Sequence, residues 1–95
     1  MDAENPNEFY AKLKSRLEET STWPAIYLYK FIVPTASTGI KEIESIFDDT
    51  HAIIIKKNSK NGKYTSLSIS LEIKNPDAVI EKYIAVGEVK GVISL

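Results

Sequence analysis

The chain has 95 residues, with 12 Lys and Arg against 13 Asp and Glu, one His and no Cys. That length holds one small domain with a thin core. Its 43% hydrophobic content is too high for a disordered segment, and a net charge of -1 does not supply the basic surface that bulk nucleic-acid binding needs. Without cysteine there are no disulfides, thiolate metal sites or Cys nucleophiles, and the lone His51 leaves no His-rich metal centre to build.

The first residues, Met1-Asp2-Ala3-Glu4, are acidic where a secretory leader would be basic. No apolar run approaches the length of a membrane span, so the expected location is the cytoplasm. Asn5 can cap a helix, Pro6 suits its first turn, and Glu8 completes an N-x-x-E capping arrangement. Phe9, Leu13 and Leu17 then recur every fourth residue and give a narrow apolar stripe. Residues 1–22 are thus expected to hold an N-terminal amphipathic helix, ended before Trp23-Pro24, since the residue before Pro avoids helical geometry.

Ala25 to Val33 is rich in β-branched and aromatic residues and reads as a strand that Pro34 stops. One parity is Tyr27, Tyr29, Phe31 and Val33; the other is Ile26, Leu28, Lys30 and Ile32. Both are largely apolar, which predicts a central strand with two covered faces. The bulkier row is assigned to the helix-facing core. After a turn-rich loop from Thr35 to Gly39, Ile40, Ile43, Ile46 and Phe47 mark a helix that ends at Asp48-Asp49-Thr50. His51 to Lys57 reads as a second strand, and Asn61-Gly62 marks a hairpin turn. From Lys63 to Ile73, Thr65, Leu67, Ile69, Leu71 and Ile73 alternate with Tyr64, Ser66, Ser68, Ser70 and Glu72, the period of a half-buried antiparallel strand. Asn75-Pro76 opens a third helix that Gly87 ends, and Glu88 to Leu95 reads as a closing strand.

The order α, then β-α-β-β-α-β, predicts an α+β, ferredoxin-like βαββαβ sandwich. The expected four-stranded antiparallel sheet has the order 4-1-3-2, with two helices on one face plus the N-terminal helix. Residues 23–95 make up the sandwich.

Four blocks resemble the YbeD-like family of small bacterial proteins of unknown function. They are Trp23-Pro24 leading into Tyr27-Leu28-Tyr29-Lys30-Phe31-Ile32, Ile43-Glu44-Ser45-Ile46-Phe47, Ser59 to Leu71, and Tyr83 to Leu95 ending in Gly91-Val92-Ile93-Ser94-Leu95. The resemblance implies a fold similar to ACT-type regulatory domains, which bind small effectors or pair with one another, and it implies no activity. ACT domains carry a Gly followed by an apolar residue where the first strand turns into the first helix. Gly39-Ile40 sits there, so the resemblance places a candidate small-ligand site at Pro34, Gly39 and Ile40.

Lys56, Lys57, Lys60 and Lys63 gather around the hairpin with no acid among them. They read either as an anion site or as a solvated hairpin end whose charges discourage edge pairing. Tyr64 alone could stack a base on the expected open face, so RNA binding in the manner of an RRM is not expected. Ser66, Ser68 and Ser70 lack a nearby base and a Gly-x-Ser-x-Gly turn. Asp48-Asp49 and the Glu42/Glu44 pair lack a third ligand. The chain is therefore expected not to be an enzyme and to need no metal or cofactor.

What remains is the open sheet face. Ile26, Leu28 and Ile32 beside the three serines leave an apolar patch unusual for a monomer. Either the N-terminal helix folds back with Phe9, Leu13 and Leu17 on that face, or a second molecule covers it as a protein partner or a two-fold homodimer. A regulatory or protein-interaction role through this face is the leading expectation. Small-ligand sensing, of an amino acid or an anion, is the alternative.

Overall fold

The computed structural model describes residues 6–48 and 50–95. The expected Asn5 cap and Asp49 lie outside the described residues. The elements in chain order are α1 (Pro6–Thr20), β1 (Ala25–Pro34), α2 (Gly39–Ile46), β2 (Ile53–Asn58), β3 (Tyr64–Ile73), α3 (Pro76–Gly87) and β4 (Ile93–Ser94). The architecture is α+β: three helices and an open four-stranded antiparallel sheet in the order β2-β3-β1-β4. This is the predicted order read from the other edge.

Residue chemistry explains the punctuation. Asn75 Oδ1 accepts the Ala78 amide at 2.9 Å and caps α3, with Pro76 in its first turn. Gly62 sits at φ 76°, the left-handed conformation that an Asn-Gly hairpin turn requires. Asn61 Oδ1 steadies the same turn by accepting the Lys63 amide at 3.0 Å. Gly39 is favoured for a different reason. A Cβ there would stand 3.1 Å from both Val33 Cγ1 and Ser37 Oγ, so any larger residue would have to push these neighbours back by a few tenths of an ångström.

One face of the sheet forms the core. Tyr29, Phe31 and Val33 of β1 and Leu67, Ile69, Leu71 and Ile73 of β3 are buried with Ile43, Phe47, Val79 and Val86. The bulkier row of β1 does face the helices. Tyr29 is its centre: its ring meets those of Tyr27, Phe31, Phe47 and Tyr83 at centroid distances of 4.8–5.7 Å. Its hydroxyl donates to the Val79 carbonyl at 2.9 Å, so the buried phenol is satisfied. The Tyr27 and Tyr83 hydroxyls share a 2.8 Å bond beside it. At the hairpin end, buried Thr65 Oγ1 donates to Asn58 Oδ1 at 3.0 Å and pairs with Thr35 Oγ1 at 2.8 Å, tying β3 to β2 and to the turn after β1.

Three expectations are corrected. β1 does not have two covered faces, because Ile26 and Leu28 are 72% and 59% exposed. β2 starts at Ile53 rather than His51, because His51 has φ 59°, which a pleated ladder cannot accommodate. The closing strand shrinks to Ile93–Ser94. Local amide-to-carbonyl bonds from Val89 to Val86 and from Val92 to Val89 use the groups a ladder would need, and Val89 is buried in the core instead.

Candidate functional site

Strand pairing sets out the open face row by row. Ile53, Ser70 and Leu28 lie side by side across β2, β3 and β1, and so do Ile55, Ser68 and Lys30. The next row toward the hairpin is Lys57, Ser66, Ile32 and Ile93. Toward the other end, Glu72 lies beside Ile26, and at the hairpin Tyr64 lies beside Pro34. The result is a serine valley along β3 between two apolar ridges. Ile53 and Ile55 form one ridge and are 66% and 64% exposed; Ile26 and Leu28 begin the other. Small hydroxyl side chains in a valley let another surface approach closely, while the flanking ridges supply the apolar area that is gained on contact.

α1 does not cover this face. It packs against α3 in the helical layer. Leu17 rests on the core cluster, and the Trp23 indole donates to the Leu17 carbonyl at 3.1 Å. Lys14 meets Asp77 at 2.9 Å. Leu13 is half-buried and Phe9 is 53% exposed. The expectation that Phe9, Leu13 and Leu17 join Ile26, Leu28, Ile32, Ser66, Ser68 and Ser70 in one surface is therefore corrected. Leu17 and Trp23 both pack against the core cluster, which holds the end of the helix on the helical side of the sheet.

The structure adds residues that the sequence reading left out. Ile53 and Ile55 belong to the face as much as Ile26 and Leu28 do, and Ile93 extends it. Counting back through the Asn61-Gly62 turn would have placed Ile53 opposite Ser70.

The lysine group divides. Lys56 turns to the helical side and meets Glu44 at 2.8 Å. Lys57 and Lys60 line a shallow groove of about 460 Å³ with Ile32, Asn58, Ser59, Tyr64 and Ser66. Lys63 is exposed on the hairpin. The groove holds no carboxylate, but its hydroxyls already have partners: Ser59 Oγ accepts the Tyr64 amide at 3.1 Å, and Ser66 Oγ donates to the Lys57 carbonyl at 3.3 Å.

The strand-to-helix loop is filled by its own atoms. Gly39 is buried, its amide donates to Ser37 Oγ at 3.1 Å, and Ile40 packs against the core. Pro34, Gly39 and Ile40 thus leave little room for an effector within one copy.

At the far end of the face, His51, Ser70 and Glu72 border one depression of about 420 Å³ with Ile26 and Ile53. The sequence reading kept His51 and the serines apart. Among the described residues, no hydrogen bond joins the three. No group of three or more His, Asp or Glu able to hold a metal occurs among the described residues. None of the described helices is long and apolar enough to cross a membrane.

No curated protein and no solved structure matches the chain. A family model described as a protein of unknown function (DUF493) matches residues 18–95. That span takes in the last turn of α1, the whole sheet with both of its ridges, and α2 and α3, so the chain belongs to this family of unknown function.

Proposed function

We propose that the chain is a non-catalytic regulatory or protein-interaction domain that works in the cytoplasm through its open sheet face. The scaffold is a ferredoxin-like sandwich of the ACT-like, YbeD-like kind, formed by residues 23–95 with the helix of residues 1–22 appended. The element order and the sheet order support that reading. One observation carries the functional part. Four large aliphatic side chains, Ile26, Leu28, Ile53 and Ile55, stand more than half exposed on one side of the sheet, in two ridges. Contiguous apolar surface of this kind marks protein contact sites.

A site-specific photo-crosslinker tests the reading in cells. Benzoylphenylalanine at Leu28 is expected to yield protein adducts, and the same group at exposed Glu81 on α3 is not. No adduct from position 28, or equal adducts from both positions, would sink the proposal.

A second reading rests on the groove at the hairpin. Two lysines with no carboxylate partner among the described residues, an exposed tyrosine ring and the apolar floor of Ile32 suit a small anion that carries a ring or an alkyl group. Thermal-shift screening of phosphate, nucleotides and amino acids checks it. Ligand at about 100 Kd should add about 2.7 kcal/mol, and Lys60→Ala should reduce that gain. A flat screen rejects the reading.

A further inference from the structure

We infer that the occupant of the open face is a second copy of this chain. It lies antiparallel across the face, so that Lys57 of each copy meets Glu72 of the other. This inference rests on the reading of the face as an interface.

The argument comes from register. Lys57 lies beside Ser66, three rows from Ile69 on the hairpin side; Glu72 lies three rows from Ile69 on the other side. Consider a two-fold axis in the plane of contact, perpendicular to the strands, at the level of Ile69. It sets the row of Ile55, Ser68 and Lys30 over the row of Ile53, Ser70 and Leu28. Isoleucine then meets isoleucine on the β2 ridge, serine meets serine in the valley, and the Lys30 stem covers Leu28. Ile32 lands over Ile26. Lys57 lies one strand, about 4.8 Å, to the side of the facing Glu72, and sheets packed about 10 Å apart leave Lys and Glu side chains long enough to meet. Every contact occurs twice, as an isologous interface requires.

Charge selects this arrangement over its rival. Glu72 is the one acid among these paired rows, and it sits at the end opposite Lys57 and Lys60. Among the described residues, none of Lys30, Lys57 and Glu72 is in an ion pair. A two-fold axis parallel to the strands would instead stack hairpin on hairpin and bring the lysines of both copies to one end, where like charges oppose association.

With the axis at Ile69, the rows from Ser66 to Glu72 of the two copies face one another over about 20 Å, across up to three strands that span about 14 Å. That footprint is small beside the roughly 800 Å² per partner of a standard interface, so association in the micromolar range is expected.

Sedimentation of the purified full chain, from about 5 to 300 µM, tests the inference. The wild type is expected to be a dimer. Glu72→Lys alone and Lys57→Glu alone should each weaken it by at least about tenfold, and the double reversal should return the dissociation constant to within about threefold of wild type. Lys57, Glu72 and Leu28 are all exposed, and circular dichroism checks that each variant is folded. A monomeric wild type overturns the second copy; crosslinks from Leu28 to other proteins would then keep the face reading alone. A dimer that Leu28→Lys disrupts, but that neither charge reversal alters, overturns this antiparallel register while retaining the face as an interface.

Discussion

Tyr29→Ala is expected to lower the unfolding free energy by about 3–5 kcal/mol, the range for truncating a large buried aromatic ring. The ring is fully buried and touches four other aromatic rings. Those neighbours belong to different elements: Tyr27 and Phe31 to β1, Tyr83 to α3, and Phe47 to the end of α2. They cannot all collapse into the space the ring leaves, so a cavity persists. A domain of this size holds only about 5–15 kcal/mol in total, so the variant should be partly unfolded at physiological temperature. Tyr29→Phe keeps the ring and removes only the hydroxyl that donates to Val79. It should cost about 1 kcal/mol, because the carbonyl is left with its bond within the helix. Urea unfolding followed by circular dichroism separates the two. A loss below about 1 kcal/mol for the alanine variant would show that the ring is not at the centre of the core.

The second large effect is expected at alkaline pH. Burial pushes the Tyr29 phenol far above its ordinary value near 10, and the neighbouring Tyr83 and Tyr27 push it the same way. Tyr83 is also raised, by burial first and then by its hydrogen bond to Tyr27. In the unfolded chain both phenols release their protons near pH 10, whereas the folded chain holds them. The native state therefore binds more protons above that pH, and stability falls as pH rises. The full contribution is present below pH 10 and is lost as the pH climbs toward the folded values. Each phenol adds a slope of about 1.4 kcal/mol per pH unit in that window. Unfolding between about pH 10 and 12 should appear together with tyrosinate absorbance. Tyr29→Phe should remove roughly half of this pH dependence while lowering stability at neutral pH. Phenolate absorbance that reaches the full five-tyrosine value near pH 10 without loss of the fold would contradict the burial of both hydroxyls.

Much of this molecule was legible in the chain. The strict alternation from Thr65 to Ile73, the Asn75-Pro76 helix start and the Asn61-Gly62 turn are local signals, and each depends on a neighbour within a few residues. They were sufficient for the element order, for the sheet order and for the core row of β1. The residues of the open face were legible in part. Ile26, Leu28 and the serines follow from strand parity, but Ile53 and Ile55 need the pairing of β2 with β3 as well.

Other features depended on contacts that no local pattern encodes. Both rows of β1 are apolar, so hydrophobicity could not reveal that one is bare; only the path of α1 onto α3 settled that. Val89 and Val92 look like strand residues, yet the core receives Val89 from a turn, because a buried side chain can be supplied by any backbone that reaches the site. Lys56 and Lys57 are adjacent in sequence but face opposite sides of the sheet, which separates the basic cluster. The sequence alone determined which segments fold and which side chains are apolar, since these follow from spacing and backbone chemistry. Only the tertiary structure decided which apolar side chains remain uncovered, because burial depends on which elements meet in space and not on their order along the chain.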